Sequence, residues 1–276
     1  MRRGSKVILL ALVGLMFAVG CDRQTPSPLG FWADYDPQTA MEDIATAEKE
    51  FEEWTRRLHA AEESVQMAAI EEFAQMMGSD AVGYYIYTEW AMNHLYGVWS
   101  PVRNERLYGH LLRLVAADAR LEGEDRSYIP RILELMQHNR IGEMPEEVRM
   151  LDTAGVEWSF EDFRGRRVLV LMVDVSCVSC VDTIKRIESQ KALVGAQREG
   201  RLELVVVAVG QTPETLEPLE REHAPKGWRV MCASRSDIES AYFDLEAVPF
   251  ITLLGAGGEI EMAMTRDVEA LAERLK

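Results

Sequence analysis

Two cysteines stand three positions apart in VDVSCVSCVDT, residues 173–183, directly behind an apolar run. Three kinds of chemistry use such a pair. A thiolate on Cys177 can attack a disulfide and be resolved by Cys180, the elementary step of thiol–disulfide exchange. The pair can be half of a zinc site, or it can close as a structural disulfide. Zinc needs a second pair of ligands at suitable spacing. His59, His94, His110, His138 and His223 are scattered, and Cys232 is the only other cysteine in this half of the chain. A structural bridge across so short a loop would constrain the unfolded chain little. Asp174, three residues before Cys177, is placed either to relay protons to Cys180 or to serve as a solvated or capping carboxylate.

The position of the pair depends on the elements around it. RRVLVLMVDV is a continuous apolar, β-branched run, the pattern of a strand buried on both faces. LELVVVAVG and FITLLG are further runs of this kind, and GAGG leads into the edge-like EIEMAM. Helical segments are expected at about 179–199, 213–222, 235–243 and 267–276. Strands alternating with helices predict an α/β layered domain. The cysteines then fall where the first buried strand ends and its helix begins. A helix N-terminus presents unpaired N–H groups and a positive dipole end, which favour a thiolate on the first cysteine. A CxxC beside a βαβ pattern is a redox signal on that ground. Pro249, in EAVPFITLL, precedes a strand that otherwise reads as central. Proline cannot donate to a ladder, so that location calls for a special device. A cis Val248–Pro249 bond is one such device; an ordinary trans proline at a strand start is the alternative. Cys232 reads as a buried thiol.

The preceding half has a different period. Met41, Ile44, Phe51, Trp54 and Leu58 recur at helical steps, with Glu-rich faces between them. EEFAQMM, YYIYTEWAMNHLY and ERLYGHLLRLVAAD continue the pattern. A last helix starts near Ser127, with Pro130 in its first turn. Gly78, Gly97–Pro101 and Gly123 punctuate an all-α domain of four or five helices. Tyr84, Tyr85, Tyr87, Trp90, Tyr96 and Trp99 form either a ligand groove or, as helical spacing more often means, core. Gly142 and Pro145 then break the helix.

The chain opens with the positive stretch MRRGSK and a 13-residue apolar run, VILLALVGLMFAV. That run is short of the ~20 residues that span a bilayer and fits a secretory signal. AVGC follows and resembles the lipobox of bacterial lipoproteins, with Ala18 where Leu is usual. Cys21 is then the expected lipid acceptor and mature N-terminus; ordinary cleavage or an uncleaved anchor are the alternatives. Each places the body outside the cytoplasm, where disulfides persist. The expected divisions are a signal peptide over 1–20, a polar tether over 21–36, a helical domain over 37–140 and an α/β domain over 141–276. The 276 residues are 47% hydrophobic, and the formal charge of −16 becomes −19 without Arg2, Arg3 and Lys6. Phosphate backbones repel such a body, so nucleic acid is excluded as a partner, and membrane contact is expected through the lipid alone.

GVEWSFEDFRGRRVLVLMVDVSCVSC, VVVAVG and YFDLEAVPFITLLGAGGEI together resemble the thioredoxin-like fold of the TlpA-like thiol–disulfide oxidoreductases, over about residues 141–276. The resemblance implies Cys177 as attacking cysteine, Cys180 as resolving cysteine and Pro249 as a cis-proline facing them. It implies protein dithiols or disulfides as substrates, a membrane electron-donor protein, and no metal or organic cofactor. The 72 positions from Cys177 to Pro249 suit a form with an inserted βα-type segment. Ser176 stands where many relatives have Trp, and Val-Ser replaces Gly-Pro between the cysteines; these residues help set the reduction potential. SPVRNERLYGHLL is similar to a segment of an uncharacterised helical domain that precedes thioredoxin modules in some bacterial lipoproteins. The expectation is a cell-envelope, membrane-anchored thiol–disulfide oxidoreductase; the alternative is a binding or scaffold lipoprotein with a redox-inert α/β half. Cys21→Ser is expected to abolish lipid attachment and release the protein from membranes as a soluble or unprocessed form. Unchanged membrane fractionation with normal processing would reject Cys21 as the anchor.

Overall fold

The computed structural model describes residues 26–222 and 227–275. The expected signal peptide, the lipid acceptor Cys21 and His223 lie outside the described residues. The first unit is helical: α1 (Ile44–Ala60), α2 (Glu63–Met77), α3 (Ala81–Ala91), α4 (Glu105–Ala117) and α5 (Ile129–Leu135). Short polar side chains start three of them. Asp43, Asp80 and Asn104 accept hydrogen bonds from the N–H groups of Thr46, Gly83 and Leu107, satisfying donors that a first helical turn leaves unpaired. Phe51, Trp54 and Leu58 lie three and four apart on one face of α1 and are buried in the helical core, the Phe51 and Trp54 rings 5.6 and 4.6 Å from that of Phe73.

Trp32 belongs to the same core. Its ring lies 5.6 Å from those of Trp54 and Phe73 and 6.1 Å from that of Tyr87. The tether expected over 21–36 is therefore too long. Phe31, Trp32 and Tyr35 pack into the helical unit, because an indole buries apolar area there that a linker would leave in water. The aromatic stripe divides: Tyr84, Tyr87 and Trp90 are core, while Tyr85 and Trp99 are exposed.

The second unit is a seven-stranded sheet of β1 (Met150–Asp152), β2 (Glu157–Trp158), β3 (Arg167–Val173), β4 (Leu202–Val209), β5 (Arg229–Ala233), β6 (Phe250–Leu254) and β7 (Ile260–Thr265). Their order across the sheet is β2-β1-β5-β4-β3-β6-β7. β3, β4 and β5 are parallel, and β6, β7, β1 and β2 extend the two sides antiparallel. Leu169, Leu171 and Val173 face one core, while Val168, Val170 and Met172 face the other, which is why β3 reads as an unbroken apolar run. Helices α6 (Val178–Ser189), α7 (Lys191–Arg198), α8 (Leu216–Glu222) and α10 (Val268–Arg274) supply the first core, and α9 (Arg235–Ser240) supplies the second.

The helix expected over 179–199 is two. Gln190 turns extended (φ −82°, ψ 104°), so Ile187 before it and Leu193 and Ala196 after it all reach the same core. Strands β1 and β2 have no counterpart among the expected elements, and β5, followed by α9, falls within the span where an inserted βα-type segment is expected but has no expected range of its own.

The units touch through polar backbone. Asn139, 6% exposed, donates to the Ala241 carbonyl at 2.8 Å and accepts from the Glu146 N–H at 2.8 Å. Its φ of 52° lies in the left-handed region, which asparagine tolerates better than most residues. Gly142 donates to Ile260 O and Ile260 donates to Glu143 O, both at 2.8 Å, so the segment after Asn139 pairs with the start of β7. Asn139→Ala is expected to cost about 2 kcal/mol, since it strands the buried Ala241 carbonyl and the part-buried Glu146 N–H and leaves a β-carbon without asparagine's local bonds at positive φ. Urea unfolding midpoints at unchanged slope provide the check; a loss below about 0.5 kcal/mol would refute this role.

Candidate active site

Strand β3 stops at Val173, and its antiparallel partner β6 places Phe250 opposite Met172. Continuing that register sets Pro249 beside Val173 and Val248 beside Asp174. The chain leaving β3 therefore meets the chain entering β6. From Asp174 a tight turn leads to the helix: the Cys177 N–H reaches Asp174 O at 3.1 Å. The Asp174 carboxylate accepts from the Ser176 N–H at 2.9 Å and from its hydroxyl at 2.6 Å.

Cys177 is the residue that caps α6, and Cys180 lies in its first turn, with Cys180 N–H donating to Cys177 O at 3.1 Å. Both are free thiols, Cys177 half-buried and Cys180 buried. The Cys177 sulfur lies 3.0 Å from the Ser179 hydroxyl. Val178, between the two cysteines, is 78% exposed, and Val175 beside them is also open.

The two sulfurs differ in acidity. Burial opposes the Cys177 thiolate. Hydrogen bonds from the Cys180 thiol, the Ser179 hydroxyl and the N–H groups of residues 180 and 179 outweigh it, leaving Cys177 below the ordinary thiol range. Both N–H groups belong to the first turn of α6, and that of Cys180 also donates to Cys177 O. Burial pushes Cys180 up to about 12; its hydrogen bond to Cys177 and the charges of Cys177 and Asp174 add to this, against an opposing Asp174 N–H.

Asp174 is engaged locally. Its bonds to Ser176 hold the carboxyl below the usual carboxylate range, so it remains an anion that stabilises the turn before Cys177. The Val248–Pro249 peptide is cis, and Val248 packs against the same apolar cluster as Cys177 and Cys180. Cys232, in β5, is buried and donates weakly to Leu151 O at 3.6 Å. Among the described residues, no three His, Cys, Asp or Glu side chains gather as a metal-binding group, and no helix is long and apolar enough to cross a membrane. A cavity of about 940 Å³ opens near Leu202 and Arg229, where β4 and β5 begin, away from the dithiol at the far end of the sheet.

Two residues that motif reasoning passed over complete the surroundings. Arg266, just beyond β7, donates from Nε to Pro249 O and from Nη2 to Ala247 O at 2.7 Å. Trp99 arrives from the helical unit with its ring 4.7 Å from the Arg266 guanidinium and 5.6 Å from that of Arg186 on α6. No local signal marks Arg266, which stands in a polar TRD stretch between a strand and a helix. Trp99 was visible only as a member of the aromatic stripe.

No protein-family model matches the chain, and no curated protein matches it. Among solved structures, the chain is similar to a thioredoxin-like protein from Bacteroides caccae, at 20% identity over 99% of both chains with a TM-score of 0.76. It also matches the thioredoxin domain of a thiol-disulfide oxidoreductase from Bacteroides vulgatus, at 18% identity over 50% of this chain and 99% of that one, TM-score 0.41. A putative protein disulfide isomerase from Bacteroides thetaiotaomicron matches at 16% identity over 49% of this chain and 87% of that one, TM-score 0.42. The whole-length likeness establishes a thioredoxin-like fold preceded by a helical unit. Iodoacetamide added to the reduced protein at neutral pH is expected to label Cys177 first and to leave Cys180 unmodified until far more alkaline pH, because only the thiolate reacts. Peptide mass mapping that finds Cys180 labelled first would reverse the two roles.

Proposed function

We propose that the protein is an extracytoplasmic thiol–disulfide oxidoreductase that exchanges disulfides with protein substrates through Cys177 and Cys180. The observation that carries this reading is the placement of two free thiols one helical turn apart at a strand–helix junction, Cys177 half-buried at the helix start and Cys180 buried in its first turn, an arrangement that sets their acidities apart. A pair held for stability alone has no use for that difference. In exchange it orders the steps.

The Cys177 thiolate attacks one sulfur of a substrate disulfide. The substrate S–S bond breaks, a mixed disulfide forms, and the other substrate sulfur leaves as a thiolate and takes a proton. Capping Cys177 in this way removes the negative charge and the hydrogen-bond acceptor that hold the Cys180 proton, two of the causes behind its raised pKa. Cys180 then loses its proton more readily and attacks Cys177. The mixed disulfide breaks, the second substrate thiol departs, and a Cys177–Cys180 disulfide remains. Two electrons have passed from the protein to the substrate; the reverse sequence oxidises a substrate dithiol.

Regenerating the dithiol outside the cytoplasm needs a donor, and a membrane electron-donor protein is the proposed partner. The basic leader, apolar run and AVGC junction support a lipid anchor at Cys21, and the acidic body disfavours any further contact with an anionic surface. Insulin reduction in the presence of dithiothreitol tests the activity. The wild type is expected to accelerate precipitation of the insulin B chain, Cys177→Ser to fall to the rate of dithiothreitol alone, and Cys180→Ser to accumulate a mixed disulfide without turnover. A wild-type rate equal to that of dithiothreitol alone would leave the fold as a redox-inert scaffold.

A further inference from the structure

Arg266, like Arg126, gives its hydrogen bonds to backbone carbonyls, and it does so beside the dithiol turn. The protein has 46 acidic residues against 30 basic ones, and most described arginines meet a carboxylate, as Arg186 meets Glu269 and Arg167 meets Glu261. Arg266 instead spends its hydrogen bonds on two carbonyls, Ala247 O and Pro249 O, which flank the Val248–Pro249 peptide. Carbonyls satisfy its donors without cancelling its charge. The β3–β6 register ends at Met172 opposite Phe250, and that peptide directly precedes Phe250, so the guanidinium is tied to the strand that borders the dithiol turn.

Its outer face is covered by the helical unit. After α3 the chain makes a π-helical turn over Met92–Tyr96, closed by the Gly97 N–H to Met92 O at 2.8 Å. Any β-carbon at Gly97 would stand 2.4 Å from the Asn93 carbonyl oxygen, so the exit from this turn requires glycine. Insertions of this kind in a helix frequently occur at functional sites. Here the turn launches residues 98–103 onto the α/β unit. Val98 O accepts from the Arg266 N–H at 2.9 Å, Arg103 Nη1 donates to Met264 O at 2.7 Å, and the Trp99 ring covers the Arg266 guanidinium at 4.7 Å. Trp99 itself remains 53% exposed.

We propose that Arg266 is a positioning residue for the dithiol, stabilising the Cys177 thiolate by its uncompensated charge, and that Trp99 of the helical unit holds it in place. The inference rests on Cys177 acting as the attacking thiolate. Burial of Arg266 weakens its own protonated form, and the charges that counter this are those of Cys180 and Cys177. The other charged groups about the site are spoken for: Asp174 by Ser176 and Arg235, and Arg186 by Glu269. Hydrogen bonds from residues 179 and 180 are the leading favourable influences on the Cys177 thiolate, and the cation is proposed to add a smaller part. The helical unit is thereby part of the redox site, with the Trp99 ring as its contact to the guanidinium itself.

The test is the pH profile of Cys177 alkylation in the full-length reduced protein, read by mass spectrometry of the Cys177 peptide. Arg266→Met is expected to move the midpoint upward and to slow alkylation below the midpoint roughly threefold, less than the roughly tenfold or more of an opposite charge in direct contact. Arg266→Lys is expected to recover part of the loss. Trp99→Ala is expected to shift the profile the same way, Trp99→Phe to shift it less, and Trp99→Ala to add little on the Arg266→Met background, because both act through one guanidinium. Profiles of Arg266→Met and Trp99→Ala that superimpose on the wild type would overturn the inference. Should Arg266→Met fail to fold, Trp99→Ala decides alone, since its ring lies largely in solvent. Alkylation is read without a substrate, so unshifted profiles in a protein that reduces insulin sink the role of Arg266 only. A protein that does not reduce insulin sinks the exchange reading instead.

Discussion

The pairing of β3 with β6 is the constraint from which the rest of the site follows. β3 runs parallel to β4 and antiparallel to β6, with Met172 opposite Phe250. The C-terminal end of one strand and the N-terminal end of the other thus lie at the same side of the sheet. Packing pins this register from both faces. Ile251 and Leu253 point into the core beneath α6, while Phe250 points into the other core and stacks on Phe243 at 5.9 Å. A slip of one residue would exchange those faces and send the Phe250 ring toward the cysteine helix. Because the register is fixed, the turn carrying Cys177 and the loop carrying Pro249 meet without either being long.

The site's electrostatics depend on how far each sulfur lies along α6. At the cap, Cys177 receives N–H groups of the first helical turn and keeps part of its surface in water. Three residues on, Cys180 has turned beneath the helix and lost that solvent. The ionisations are coupled, since a charge on either sulfur raises the cost of a charge on the other, so the pair gives up its protons one at a time. The same helix turn that supplies the asymmetry keeps the sulfurs close enough to share a hydrogen bond. Asp174 and Ser176 contribute by shaping the turn that delivers Cys177 to the cap.

What was legible in the sequence follows from what periodicity measures. Apolar runs report burial, so β3, β4 and β6, covered on both faces, were plain, and Pro249 stood out because proline is out of place in such a run. β1 and β2, three and two residues long, are too short to show a period. β5 is a short apolar run between two helices, and its core position is a matter of pairing with β4 and β1 rather than of pattern. Helix ends were misplaced where tertiary packing decided them, as at Gln190. Trp32 read as tether because its neighbours in sequence are polar and proline-rich; its neighbours in space come from three helices. The cysteine pair was legible because its chemistry is local. Arg266 was not, because its partners are 17 and 19 residues away in sequence and more than 160 away at Trp99 and Val98.

That last separation bears on why a helical unit precedes this fold at all. The CxxC turn and the proline loop belong wholly to the α/β unit, and nothing in their hydrogen bonding calls for a second unit. What the helical unit adds is a shielded side for one cation. A guanidinium in open water acts through a high dielectric and is screened over about 8–10 Å, so it exerts little field on a neighbouring sulfur. One face covered by an indole and its donors engaged by carbonyls leave Arg266 less hydrated, and a charge in a lower-dielectric surrounding acts further. Its burial costs free energy, which the cation–π contact and two charge-assisted hydrogen bonds offset. A carboxylate would have offset that cost more simply, and this acidic chain has many to offer. Carbonyls and an aromatic ring in its place leave a net positive charge beside two sulfurs, one of which must become negative to react.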